Sequence, residues 1–356
     1  MAPNTDDLRI RSLDALTAPA ELLRELPCGE ALSETVADAR RSLHDILHGR
    51  DDRLAVVIGP CSIHDPQAAL EYARRLAPMR TALGDALEIV MRVYFEKPRT
   101  TVGWKGLIND PLLDGSFNIN AGLRLARELL RDINALGLPA GCEYLDVISP
   151  QYIADLVAWG AIGARTTESQ VHREMASGLS CPVGFKNGTD GNPQIAVDAM
   201  ISARSPHGFI GLDHEGRTAL VRTTGNPDGH LVLRGDNQGP NFDAGAIADA
   251  KKRLEAGGVR PQLLVDCSHG NSSKDHTKQA AAFKDVIEQR VAGDTNIIGC
   301  MLESNLQPGN QKLVADLALL KYGISITDAC IGWDETEDLL HWAHEKTAAA
   351  AKAPVG

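Results

Sequence analysis

The sequence predicts an α/β protein: a (β/α)8 TIM barrel carrying an N-terminal extension and a β-hairpin inserted before barrel strand 6. Two observations lead there. Eight short apolar runs each end at a residue able to do chemistry. Stretches with helical periodicity separate most of them. In such a barrel the carboxyl ends of all the strands converge on one mouth, so the chemistry-bearing residues converge too.

Residues 1–50 precede the first barrel strand and read as an interface or regulatory extension, covering the barrel floor or reaching a neighbouring subunit. Within it, 8–13 reads as a strand. Residues 33–47 read as a helix with Val36, Ala39, Leu43, Ile46 and Leu47 on one face, Ser33 as its cap and Gly49 as its stop. The catalytic barrel is then 51–356. Its first run, 54–58, leads to Cys61, and 89–91 leads to Arg92 and Lys97. Next, 139–142 ends at Glu143, 161–164 at Arg165 and 183–185 at Lys186. After a helix over 193–203 the alternation slips. Two strand-like runs, 207–212 and 219–223, flank a turn rich in Asp, His, Glu and Gly. They form a hairpin outside the barrel at about 205–225. Strand six, 231–233, ends at Arg234; 263–265 runs into Asp266 and His269; 297–302 ends at Glu303.

Composition narrows the function. The net charge is −11, which repels nucleic acid and anionic membranes. No apolar run approaches the roughly 18 residues of a membrane span. The polar start, residues 1–7, has no apolar core of a signal peptide. Seven cysteines without framework spacing fit a reducing cytoplasm. Against this acidic background the mouth gathers Arg92, Lys97, Arg99, Lys105, Arg165, Lys186 and Arg234. A basic cluster in an acidic chain points to a small anion, phosphate or carboxylate.

Three constellations carry chemistry. Cys61, His269, Glu303 and Asp328 offer a thiolate, an imidazole and two carboxylates, a mixed donor set suited to Mn, Fe, Co or Zn. The segment 92–106 concentrates cations around Pro98, with Thr100 and Thr101 as added donors and Phe95 and Trp104 as anchors. Residues 163–169 and 183–188 combine small residues, which let a ligand approach backbone N–H groups, with Arg165 and Lys186 at neighbouring strand ends. Thr167 stands where it can cap the following helix. No dinucleotide fingerprint, nucleophile elbow or P-loop is present. The residues describe a metal-dependent barrel enzyme for phosphorylated, carboxylated small molecules. Carbon–carbon bond formation, phosphotransfer and isomerisation all stay open.

Gly59-Pro60-Cys61-Ser62, Glu96-Lys97-Pro98-Arg99-Thr100, Gly163-Ala164-Arg165-Thr166, Gly184-Phe185-Lys186-Asn187-Gly188 and Asp266-Cys267-Ser268-His269 resemble 3-deoxy-D-arabino-heptulosonate-7-phosphate (DAHP) synthase of the type I alpha, microbial, aromatic-amino-acid-regulated class. The resemblance runs from about Asp6 to Trp333. It implies condensation of phosphoenolpyruvate with erythrose 4-phosphate and water to DAHP and phosphate, the first step of the shikimate pathway to chorismate and the aromatic amino acids. By the same resemblance Cys61, His269, Glu303 and Asp328 are the ligands of a divalent metal ion. Arg165 and Arg234, with the backbone of Ala164, hold the phosphate of phosphoenolpyruvate, and Arg92, Lys97 and Lys186 surround its carboxylate. Lys97, Pro98, Arg99 and Thr100 hold erythrose 4-phosphate, with Lys105 nearby. Lys97 is the expected proton-transfer group, with Glu143 handling the water. Cys330, two residues beyond Asp328, is expected to pair with Cys61 when metal is stripped.

The extension and hairpin match the parts that form this family's allosteric pocket for an aromatic amino acid. Pro150, Gln151, Ser180, Phe209, Gly211 and Val221 fall at matching positions, with Asp6 and Asp7 contributed by a neighbouring chain of a homodimer or homotetramer. Gly211, where the phenylalanine-responsive pattern has Ser, leaves room for a further hydroxyl and favours tyrosine. Two alternatives stand beside this reading: a related synthase with another aldose phosphate acceptor, and a non-catalytic metabolite sensor.

Overall fold

The computed structural model describes residues 3–352. The extension carries α1 (Pro19–Glu25) and α2 (Glu30–Leu47). The first half of the barrel runs β1 (Leu54–Gly59), α3 (Pro66–Ala82), β2 (Leu87–Arg92), α4 (Ile119–Ala135), β3 (Ala140–Glu143), α5 (Pro150–Ile153), β4 (Trp159–Ile162), α6 (Gln170–Ala176), β5 (Val183–Lys186) and α7 (Gln194–Arg204). The hairpin β6 (Gly208–Leu212) and β7 (Thr218–Arg222) follows. Then come β8 (Gly229–Leu233), α8 (Ala244–Ala256), β9 (Leu263–Asp266), α9 (Gln279–Val291), β10 (Ile297–Glu303) and α10 (Trp333–Lys352).

Eight strands close a parallel barrel in the order β1-β10-β9-β8-β5-β4-β3-β2, and β6-β7 form a separate antiparallel ribbon. The barrel strands are apolar on both faces because both are covered: every residue of β1, β2 and β10 is buried. Phe209 pairs with Val221 and Gly211 with Ala219 across the hairpin, whose tight end is closed by Asp213 N–H donating to Arg217 O.

The extension closes the barrel floor. Leu43, Ile46 and Leu47 of α2 pack into one buried cluster with Val57, Val90, Trp159, Val232, Leu264 and Met301, the side chains that fill the barrel interior. Ser33 does not cap α2. The helix starts a turn earlier, after Gly29, which gives no side-chain cap, and the Ser33 hydroxyl donates back to Gly29 O at 2.8 Å. Gly49 does follow the helix end, with φ +67°. Residues 8–13 are not a strand, since within one chain they pair with no neighbour; Leu8, Ile10 and Leu13 are exposed. β4 lies two residues before its expected position, 161–164. Trp159 enters the core, and Gly163 turns out of the strand, where a Cβ would collide with Glu143 Oε1. Thr167 is no helix cap either: its hydroxyl donates to Gly163 O and Lys186 O, tying two strand ends together. α6 begins beyond it, at Gln170.

Candidate active site

The carboxyl ends of the barrel strands open on a cavity of about 830 Å³. Glu303 ends β10, Asp266 ends β9 and Lys186 ends β5; Cys61 follows β1, and Arg234 follows β8. On one side the cavity is lined by Lys97, Pro98, Arg99 and Thr100, and on another by Ala164, Arg165, Lys186 and Arg234. Glu143, His269, Glu303 and Asp328 complete its base.

Donor atoms of Cys61, Glu303 and Asp328 lie within 4.8 Å of one another. Cys61 Sγ is 3.6 Å from Asp328 Oδ2. His269 Nε2 lies 3.7 Å from Glu303 Oε1, while its Nδ1 faces Asp266 Oδ2 at 3.1 Å. A carboxylate behind one ring nitrogen, with the other aimed at further donors, is the orientation of a metal-ligating histidine. His269 holds a left-handed backbone, φ +54°, a strained conformation for a side-chain-bearing residue that clusters at functional sites. Burial, with Glu303 adding to it, pushes the Cys61 thiol up to about 11. A thiol and two carboxylates forced together this way are a donor set that a divalent cation fits. The cysteines are all free thiols, Cys61 and Cys330 included.

Buried cations brace this cluster. Lys97 Nζ donates to Cys61 Sγ at 3.1 Å and to Cys61 O at 3.3 Å. Burial alone would lower its pKa; Cys61 and Glu303 outweigh that and hold it above the ordinary lysine value. Lys186 Nζ donates to Asp266 Oδ2 at 2.8 Å. Asp266 is fully buried, which would raise its pKa, yet Lys186 and His269 hold it well below the carboxylate range. Arg92 lies beneath the cavity, outside its lining. It stacks on the Tyr94 ring at 3.7 Å and donates to Glu303 Oε1 at 2.8 Å and to Cys61 O.

Arg165 and Arg234 differ in kind. Among the described residues, neither forms an ion pair with a carboxylate, and both face the cavity, as a pair awaiting a dianion would. Lys105 stands apart: its ammonium lies 6.0 Å from the Phe117 ring, while its carbonyl accepts from Lys97 N–H and closes the loop that carries Pro98 and Arg99. Sequence reasoning passed over the role of Asp266, which joins Lys186 to His269, and over Lys274 and Asn237 on the cavity wall. The position of Asp266 at a strand end was its one signal.

The residues assigned to regulation fall into two groups. Phe209, Gly211 and Val221 share the hairpin, and a Cβ at Gly211 would press on Val221 Cγ2 at 2.7 Å. Ser177 and Thr223 hydroxyls bond at 2.7 Å, which holds the loop bearing Ser180 to the hairpin base. Pro150 and Gln151 start α5, next to Ser149, whose hydroxyl donates to Glu96 Oε2 at 2.9 Å, one residue from Lys97. Asp6 and Asp7 are exposed in the extension.

A closed parallel barrel whose mouth sets uncompensated cations around a thiol–imidazole–carboxylate cluster defines a barrel enzyme of anionic small molecules. The chain belongs to the DAHP synthetase I family, which matches residues 31–341. It is 58% identical, over 94% of its length and 95% of the relative's, to the Phe-sensitive phospho-2-dehydro-3-deoxyheptonate aldolase of Escherichia coli K12. Identity to the Tyr-sensitive enzyme of the same strain is 53%, covering 96% and 95% of the two chains. The solved structure of phospho-2-dehydro-3-deoxyheptonate aldolase from Francisella tularensis SCHU S4 superposes with a TM-score of 0.93 at 49% identity, covering 96% of this chain and 99% of that one. No helix among the described residues is long and apolar enough to cross a membrane.

Proposed function

We propose that the chain condenses phosphoenolpyruvate with erythrose 4-phosphate and water, releasing DAHP and phosphate. One observation carries the reading: two anion-binding sets, Arg165 with Arg234 and the Lys97-Pro98-Arg99-Thr100 loop, flank one donor cluster in one cavity. That layout serves two phosphorylated substrates meeting at a single reacting centre.

Arg165, Arg234 and the Ala164 backbone hold the phosphate of phosphoenolpyruvate. Its carboxylate faces Lys97 and Lys186, with Arg92 beneath. Erythrose 4-phosphate lies on Pro98, Arg99 and Thr100, and Lys105 supports that loop. This places carbon 3 of the enol against the aldehyde. Cys61, His269, Glu303 and Asp328 hold a divalent metal ion, which when bound supplies Lewis-acid polarisation of the carbonyl. Lys97 Nζ, between the two substrate sites, transfers the proton to the new hydroxyl. Glu143 orients the water that adds at carbon 2, and phosphate leaves with carbon–oxygen cleavage. The surrounding cations offset charge as it builds. Phosphate release requiring both phosphoenolpyruvate and erythrose 4-phosphate tests the reading. Turnover of phosphoenolpyruvate with arabinose 5-phosphate but not with erythrose 4-phosphate would favour the alternative acceptor.

Residues 1–50 and the hairpin serve regulation. Exposed Leu8, Ile10 and Leu13 in the extension and Ile210 and Leu220 on the hairpin support burial against another copy in a homodimer or homotetramer. An aromatic amino acid binds beside Phe209 and Val221. Tyrosine is favoured because Gly211 lacks the hydroxyl of the phenylalanine-responsive pattern, although the Val221 side chain, and not open space, fills the position beside it. The seven free thiols support a cytoplasmic location.

A further inference from the structure

We propose that His44, His48 and Asp228 form a second divalent-metal site on the barrel floor, suited to a first-row ion such as zinc, nickel or copper. β8 itself separates Asp228, before its first residue, from Arg234 at the mouth.

His44 lies in the last turn of α2 and His48 caps that helix one turn further on, so both rings stand on the same side of its carboxyl end. An i, i+4 histidine pair on a helix is a recurrent way of gripping zinc. Asp228 comes from the loop that enters β8 and meets both rings. Its carboxylate is 2.8 Å from His44 Nδ1 and 3.0 Å from His48 Nε2. The three donor atoms lie within 4.8 Å of one another, and the ring centroids are 4.0 Å apart. Tetrahedral ligands at bonds of about 2.1 Å sit roughly 3.4 Å from each other, so small rotations suffice. Side-chain exposures of 37%, 13% and 17% leave the group reachable by an ion yet held in place.

Arg260 supplies the telling contact. Its Nη1 donates to His48 Nε2 at 3.0 Å. In the tautomer that accepts from Arg260, that nitrogen presents a lone pair, and the lone pair also faces an Asp228 oxygen 3.0 Å away. Two acceptors this close need a shared cation. The exposed Arg260 guanidinium supplies one from outside, and a metal ion between the donors replaces it. A filled site fastens α2, which closes the floor, to the loop that starts β8.

Equilibrium dialysis of untagged protein against Zn2+ at neutral pH tests this, with metal counted per chain. The parent variant is C61A/H269A, which lacks two donors at the mouth. It is expected to bind one zinc ion. Adding H48Q is expected to weaken that binding at least about tenfold, as loss of a ligand exceeds loss of a supporting group. Adding R260A, which leaves all three donors, is expected to tighten it. Unchanged thermal unfolding of the metal-free H48Q variant separates lost binding from lost folding. A parent that binds no zinc, or zinc binding indifferent to H48Q and R260A, overturns the proposal.

Discussion

At the residue scale the site is a contest between burial and charge. Lys97 is nearly buried, yet it faces a thiol and two carboxylates. Changing Lys97 to Met removes the only proton carrier assigned between the two substrates. Turnover should fall by about 10² to 10⁴, with metal content per chain at the mouth unchanged; retained turnover would refute the role. Gly211 carries the second expectation. Titrating phenylalanine, tyrosine and tryptophan against activity should show tyrosine inhibiting at the lowest concentration, and selective inhibition by phenylalanine would overturn the reading. The cations at the mouth were legible because charge at the end of an apolar run has few structural uses. The roles of Arg92 and Asp266 were not, since each depends on which side chains a closed barrel brings within 3 Å.

At the element scale, the strands announced themselves as short apolar runs because a parallel barrel buries both faces. Ends were less legible. β4 began two residues early, as Trp159 fills the interior and Gly163 yields space to Glu143. The segment 8–13 has a strand's alternation, but alternation states a preference and pairing needs a partner. The plug formed by α2 was legible in its helical face, though not in its start, because Gly29 lacks the side chain that marks a cap. Leu43 is 3% exposed inside that plug. Leu43→Ala should cost about 2–5 kcal/mol of stability, read by denaturant unfolding. A loss under about 1 kcal/mol would mean that the floor is not packed by α2.

The whole molecule is acidic outside and basic at one mouth, an arrangement that draws small anions inward and repels polyanions. Its pH response should carry the mark of Glu96, which binds the Ser149 loop next to Lys97. Burial raises this carboxyl from 4.5 to about 7. Folding therefore favours the protonated form. The associated stability is complete below about pH 4.5, declines as pH rises, and is gone above about 7. Denaturant unfolding at a series of pH values should show that decline, and Glu96→Gln should flatten it; parallel curves would contradict the assignment. The barrel, the extension and the hairpin were legible at this scale because periodicity and interruption are properties of the chain itself. The helical face of the extension is equally compatible with closing the floor and with reaching a neighbour, and only the packing of Leu43, Ile46 and Leu47 into the barrel interior decides between them.

The most direct measurement is phosphate release on mixing metal-loaded protein with phosphoenolpyruvate and erythrose 4-phosphate, repeated after chelation and again after restoring a divalent metal. Release should require both substrates, vanish with the metal and return with it. Absence of release with Mn, Fe, Co and Zn alike would contradict the account and leave the fold as a sensor of the same ligands.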